Sequence, residues 1–465
     1  MKQTMRSIAV LSALLCLSLS ACGDITVPNY NAVSAEDLAT NPTPASLAAA
    51  AQGLISGQRG LTGAFVNAIG TWGRERYDLR PEEPRTITDA LIAPIGESNA
   101  FWGGPYAQIR NIRAVLAAAE AIETVTEAEK SALQGFAYTL WAEALYHVNL
   151  MHGNLGAPIT TPDSVQVLAP ILSEAEVTAE VLRLFDLGDQ LLGAGGSSFP
   201  FQWPPDMSGF DTPATFREVN RALKARTLKY LGQWSEVLSA LPATFIDDGA
   251  ELTYGAYHSY STNSGDATNT LCCTVSYYAH PRYRADAQLQ ADGVTLDQRA
   301  LDKTYVVTEF KLSGINVTER FGNWRGFSDL SDPRSWIRNE ELILLRAEAN
   351  HALGNDAEAL ADVNLIRTTS GNLPAIDAAA WTAMTDDERL TEILYNKFMS
   401  LVLEGGFTYL DHRQYGWLDR LPRARDADTG ADLGHVTYPR YPYPEEECIT
   451  RGIEATAACQ EVVGF

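Results

Sequence analysis

Hydrophobic positions recur at helical spacing along most of the chain. Between Glu127 and Met151, the residues Leu133, Phe136, Leu140, Ala144 and Val148 share one face of a 3.6-residue repeat. Thr126 followed by Glu129 supplies the reciprocal side-chain start of such a helix, and Ser173 with Glu176 starts another that runs to Leu192. A third pattern spans Ala100 to Thr124 through Ile109, Ile112, Leu116 and Ala119, and Ser46 to Ser56 is Ala-rich and apolar. Gly153 to Pro162 interrupts the pattern, as Gly and Pro do.

Two stretches repeat one design. Phe216 to Leu231 and Asn339 to Leu353 are helix patterns, each followed by Leu-Gly (Leu231-Gly232, Leu353-Gly354) and a second amphipathic run. Gly accepts the left-handed conformation that ends a helix. In the second pair Leu342, Leu345, Ala349 and Ala352 line one side, and Ala359, Val363 and Ile366 line the other helix. This is the logic of tetratricopeptide helix pairs, here divergent and interrupted. Trp141, Trp234 and Trp381 sit in helix patterns and read as core, as does Ile343-Leu344-Leu345. Between the pairs the composition changes. Gly193 to Pro213 and Tyr254 to Arg284 are rich in Gly, Ser, Thr and aromatics, and Tyr305 to Leu312 alternates as a strand, with Val306, Thr308, Phe310 and Leu312 on one side. The pattern predicts a mostly α protein, with helix pairs as scaffold and a loop-rich, partly β region where a ligand would sit.

Composition narrows the function. The 465 residues carry 35 Lys plus Arg against 58 Asp plus Glu, a net charge of -23, and no basic patch relieves it, which excludes a nucleic-acid role. Lys2 and Arg6 precede the apolar run Ile8 to Leu19, too short to span a bilayer but right for a secretory signal. Leu19-Ser20-Ala21-Cys22 resembles a bacterial lipobox, which implies a signal peptide over 1–21, lipidation of Cys22 and a polar tether over 22–44. An exported chain meets oxidising conditions, so Cys272, Cys273, Cys448 and Cys459 are disulfide candidates. Cys448 with Cys459 would close a small terminal loop, whereas a bond between the neighbours Cys272 and Cys273 would be strained.

No catalytic signature emerges: no nucleophile elbow, no His-Glu-Xaa-Xaa-His and no phosphate loop. Asp386, Asp387 and Glu388 read as a solvated helix start. Asp426, Asp428 and Asp432 alternate as in a calcium loop, yet the twelfth position is Thr437, which removes the bidentate ligand. Aromatics are the better signal, because sugar rings offer apolar faces and polar edges. Trp72, Arg74 and Tyr77, then Trp203 within Phe201-Gln202-Trp203, then Tyr277, Tyr278, Trp324 and Arg325 combine rings with polar neighbours outside helix stripes. Plain packing is the competing reading of each ring.

Taken in order, several stretches resemble the SusD/RagB family of outer-membrane nutrient-binding lipoproteins: Val27-Pro28-Asn29, Phe101-Trp102 to Arg113-Ala114, Gln134 to Tyr146 with Gly156-Ala157-Pro158, Phe216 to Trp234, Arg338 to Ala349 with Leu353-Gly354 and Asn364 to Arg367, Tyr409 to Arg413, and Tyr441-Pro442-Tyr443-Pro444. Asn396-Lys397 and Phe407 stand where members often carry Arg, and the Cys-bearing end is not the usual one. The resemblance implies an N-terminal SusD-like helical region over 45–250 and a C-terminal RagB/SusD region with binding loops over 251–465. It also implies a non-catalytic, surface-facing receptor that passes glycans, less often peptides, to a SusC-like TonB-dependent transporter. A tetratricopeptide-type scaffold that binds only proteins, or a surface glycan hydrolase, are the alternatives. Intact-mass analysis of membrane fractions is expected to find Cys22 lipidated; an unlipidated Cys22 would refute the anchor.

Overall fold

In the computed structural model the described residues are 35–81, 99–162, 164, 167–271, 276–322, 324, 328–454, 456, 458 and 459. The lipobox Cys22, the pair Cys272 and Cys273, and Arg325 lie outside them. The first helices are α1 (Ala35–Thr40), α2 (Pro44–Trp72), α3 (Gly104–Ala121), α4 (Glu127–His152) and α5 (Glu174–Gly193). Both expected helix starts form: the Thr126 hydroxyl accepts from the Glu129 N–H while Glu129 reaches back, and Ser173 and Glu176 do the same. The 29-residue α2 is far longer than its Ala-rich start suggested. Helices α4 and α5 approach closely through two glycines. A Cβ at Gly135 would sit 2.8 Å from the Gly188 carbonyl, and one at Gly188 would sit 3.0 Å from the Gly135 carbonyl.

The helix pairs follow: α6 (Pro213–Tyr230) with α7 (Trp234–Ala240), then, after short α8 (Arg282–Ala285) and α9 (Gln298–Lys303), α10 (Asn339–Ala352) with α11 (Asp356–Thr369). Both first helices end in the same motif. The Gln233 N–H reaches the Leu228 carbonyl and Gly232 reaches Lys229; Asn355 reaches Asn350 and Gly354 reaches His351. Gly232 and Gly354 take φ of 67° and 77°. The chain closes with α12 (Ala378–Ala383), α13 (Asp386–Leu401), α14 (Phe407–Gln414) and α15 (Glu445–Arg451). Thr385 caps α13, so Asp386 to Glu388 are its acidic first turn. Trp381 is buried, while Trp141 and Trp234 are half-buried against the main core. The fold is mostly α.

Strands form three two-stranded ribbons among the described residues: β1 (Arg76–Asp78) with β3 (Tyr277–Ala279), β2 (Gly255–His258) with β6 (Arg334–Arg338), and β4 (Thr304–Leu312) with β5 (Ile315–Phe321). The alternation of Tyr305 to Leu312 does form a strand, but not with one inward side. A register shift between Val306 and Phe310 leaves Val306 and Thr308 exposed, while Val307, Phe310 and Leu312 pack inward.

Two features lock the pairs together. Lys229 of α6 and Lys397 of α13 share the carboxylates of Glu348 and Asp411. Lys229 lies 2.9 Å from Glu348 and also contacts Asp411, and Lys397 lies 2.8 Å from each. Tyr230 and Tyr415 donate to Asp411 and Glu348 at 2.9 and 2.6 Å. Further, the segment around Tyr438 to Tyr443 lies across the helical bundle. Tyr441 stacks on Trp72 at 4.6 Å, its N–H reaches the Met151 carbonyl, and the Tyr443 hydroxyl donates to Gly156. Cys448 and Cys459 are bonded just beyond it.

Lys397→Met leaves two buried carboxylates with one cation. It is expected to destabilise by about 3–5 kcal/mol in denaturant melts. Arg420→Ala, which breaks the half-exposed pair with Asp387, should cost under about 1 kcal/mol.

Candidate functional site

Helix α2 presents Gln52, Ile55, Ser56 and Arg59 on one face, at i, i+3, i+4 and i+7. That face forms one wall of a cleft of about 370 Å³. The opposite wall comes from the Gly- and Pro-rich stretch after α5, with Gln202, Trp203 and Asp206, and from β2 and the loop after it, with Ser259, Tyr260 and Asp266. Phe136 and Leu140 of α4 and Trp336 of β6 make the floor.

The polar groups of the rim are tied to one another. Arg59 donates to the Ser259 carbonyl and to Asp266, each at 2.7 Å, and its guanidinium lies 5.3 Å from the Tyr260 ring centre. The Ser259 hydroxyl donates to Asp206 at 2.7 Å and accepts from the Asp206 N–H. Burial raises the Asp266 carboxyl, but the Ala267 N–H and Arg59 outweigh it and hold the group below its ordinary range. Trp203 is half-buried. It packs edge-on to Phe136 at 5.1 Å and tilted on Phe216 at 4.9 Å, so its ring is a fixed wall.

Beneath the floor lies a buried carboxylate. Glu143 accepts from the Gln58 amide at 2.9 Å and from the Trp336 indole at 2.8 Å, while Arg226, its nearest cation at 3.9 Å, is held by Glu341 at 2.6 Å. Burial pushes the Glu143 carboxyl up to about 7, and the distant Arg226 does not offset it. His258 stacks on Trp336, and burial holds it down to about 3, so it stays neutral.

Of the residues singled out from sequence, Trp203 lines this cleft. Four others are core and offer a ligand no free face. Trp72 is the last residue of α2 and sits under Tyr441 and Tyr409. Arg74, at φ 57°, is buried and spends its donors on the Trp72, Pro422 and Val436 carbonyls and the Thr437 hydroxyl. Burial lowers its guanidinium to about 10. Tyr77 packs on His280 and Tyr278 stacks on Phe310. Gly73 marks the close approach that forces this: a Cβ there would lie 2.9 Å from the Tyr409 nitrogen. Tyr277 is half-buried with the Arg76 guanidinium 3.8 Å over its ring, and Trp324 is half-buried against the main core with Lys303 over it. The calcium-like carboxylates are engaged separately. Asp426 accepts from Asp428 and Thr429 of its own turn, Asp428 pairs with Lys311 and Asp432 faces Arg423. Among the described residues no group of three or more His, Cys, Asp or Glu is placed to hold a metal.

This fold is shared with solved structures of SusD superfamily proteins. A SusD superfamily protein from Bacteroides vulgatus ATCC 8482 superposes with a TM-score of 0.65 at 14% identity, covering 91% of this chain and 99% of its own. The B. fragilis protein NanU gives 0.61 at 14% identity, covering 94% and 99%. A SusD-like carbohydrate binding protein from B. vulgatus gives 0.58 at 17% identity, covering 80% and 83%. No family model and no curated protein matches the chain.

Glu143 gives this site a pH signature. Its folded value lies above the ordinary carboxylate value of 4.5. Its contribution is therefore whole below pH 4.5 and is lost as pH rises through about 7, some ~3 kcal/mol in all. Buried imidazoles such as His258 and His147, held low, act in the opposite direction over part of that range. The clean readout is thus a difference: Glu143→Gln should gain stability relative to wild type as pH rises from 4.5 to 8. Parallel pH-dependent melts would disprove the assignment.

Proposed function

We propose that the chain is a non-catalytic receptor that captures oligosaccharides in the cleft between α2 and the Trp203 and Tyr260 loops. It would be held to the outer membrane by a lipid on Cys22, facing the cell surface, and would deliver its ligand to a TonB-dependent transporter. The observation that carries this reading is the rim: two aromatic rings beside the connected set Arg59, Asp266, Ser259 and Asp206. Aromatic walls take the apolar faces of sugar rings, and preorganised donors and acceptors take the hydroxyls at little entropic cost. The fold shared with a SusD-like carbohydrate binding protein supports the same reading. Glycoside hydrolysis needs a protonated carboxylic acid opposite a second carboxylate. Asp266 is instead held ionised by the Ala267 N–H and Arg59, and Glu143, the carboxyl that burial raises, is sealed beneath the floor on Gln58 and Trp336, which favours binding over bond cleavage. Among the described residues no helix is long and apolar enough to cross a membrane, so attachment would rest on the lipid.

Calorimetry against a glycan panel should find a ligand that binds wild type and loses about 1–3 kcal/mol of affinity in Tyr260→Ala, by analogy with stacking platforms for bases. The melting temperature should fall as well, because the Tyr260 hydroxyl also partners the buried Arg334 guanidinium; Tyr260→Phe should share that fall and keep most of the affinity. Affinity purification in mild detergent should recover a TonB-dependent barrel. Glycan binding unaffected by Tyr260→Ala would remove the cleft from the proposal. Release of shortened products by purified protein would replace receptor with hydrolase.

A further inference from the structure

A second cavity, of about 550 Å³, opens at the other end of α4. Phe136 and Leu140 floor the first cleft; Tyr146 and Asn149, further along the same helix, wall the second. Further polar lining includes Glu174 at the start of α5, Arg413 and Gln414 of α14 and Arg440 of the segment that crosses the bundle, beside Asn154, Thr178, Thr227 and Tyr230.

Several buried arginines of this chain are matched to carboxylates, as Arg226 is to Glu341, Arg299 to Asp297 and Arg338 to Glu404, whereas buried Arg74 is spent on carbonyls and a hydroxyl. Among the described residues, neither Arg413 nor Arg440 has a carboxylate within 4 Å. Arg440 donates to the Asn154 amide oxygen at 2.6 Å; Arg413 lies 5.4 Å from the Tyr409 ring centre, faces the Tyr409 hydroxyl and reaches the Pro439 carbonyl at 3.5 Å. In a protein of net charge -23, two guanidiniums without a carboxylate in one cavity call for an anion.

Three further atoms lining the cavity lack a protein partner among the described residues: the Tyr146 hydroxyl, the Asn149 Oδ1 and the Gln414 Oε1. Tyr146 is 6% exposed. Burial raises its titration point, with the charges of Arg226, Glu341 and then Arg413 acting on it more weakly, so it stays a donor. The amide nitrogen of Asn149 is spent on the Thr178 hydroxyl at 2.9 Å, and that of Gln414 on the Lys229 carbonyl at 2.8 Å. Both amide oxygens are thereby oriented as acceptors awaiting a donor. Buried polar atoms left unpaired are costly, and a ligand that pairs them recovers that cost.

The cavity therefore offers cationic donors, a phenolic donor and neutral acceptors side by side, with Glu174 at the rim as a further acceptor. A bare anion would satisfy the guanidiniums and leave the acceptors empty. A neutral sugar would do the reverse. We propose that this cavity is a second binding site, independent of the first cleft, which takes an acidic sugar: a ring bearing one carboxylate and several hydroxyls. The carboxylate lies against Arg413 and Arg440 with Tyr146 donating to it, and ring hydroxyls donate to Asn149 and Gln414.

The test uses the full chain and four probes: D-galacturonate, D-glucuronate, D-galactose and inorganic phosphate, titrated by calorimetry at low salt. At least one uronate should bind at least tenfold more tightly than galactose and than phosphate. Arg413→Gln with Arg440→Gln should weaken that binding at least tenfold. If the double variant melts early, Arg440→Gln alone serves, because the guanidinium is held by the Asn154 side chain at the surface and not by the core. Tyr260→Ala, in the first cleft, should bind the uronate as wild type does, so failure of the first site and of this one are read separately. No uronate binding at millimolar concentration, galactose or phosphate binding equally well, or an unchanged Arg440→Gln would each overturn the proposal.

Discussion

The structure depends on four charges buried together. Lys229, Lys397, Glu348 and Asp411 are each at most 3% exposed, so none can be relieved by water. Each ion pays a desolvation cost that only the opposite charges return. Because the four come from α6, α10, α13 and α14, the cost is returned only when the two helix pairs and the C-terminal helices are in register. The cluster thus acts as a geometric condition on assembly more than as glue. Tyr230 and Tyr415 occupy remaining acceptor positions on the carboxylates, which keeps the set saturated.

From that anchor the molecule grades outward. Close glycine packing of α4 on α5 and the aromatic stack of Tyr441 on Trp72 give a rigid body. The irregular stretches after α5 and β2 gain their shape from it. Asn220 illustrates the join: its amide donates to Thr139 of α4 and to the Phe185 carbonyl of α5. The cleft walls are loops, but Trp203 is wedged among Phe136, Phe199, Phe201 and Phe216, so the wall has the stiffness of the core behind it.

Helices, their capping residues and the two Gly-ended pairs were legible in the sequence because each is set by neighbours within a few positions. Trp203 was legible as a ring in a polar loop. The misread residues share one cause. Trp72, Arg74, Tyr77 and Tyr278 look exposed by local composition, but what covers them comes from distant segments: Tyr441, Pro422, His280 and Phe310. Arg59 was missed for the converse reason. Its helix opens as an Ala-rich run that reads as buried, and only the full length of α2 shows a polar face turned to the cleft. The side error in β4 came from a bulge, which a two-residue period does not register.

The segment from Pro422 to Tyr443 has a consequence for how the chain reaches this state. Arg74 meets the Pro422 carbonyl 348 positions away, and His152 meets Tyr441 across 289. Contacts of such separation close last, because the loop entropy must be spent before they form. A chain emerging N-terminus first therefore presents α2 and α4 with a bare aromatic seam until nearly all of it has appeared. During that interval the seam is exposed to any other apolar partner. The late-arriving tyrosines make this a protein whose first half is finished by its last.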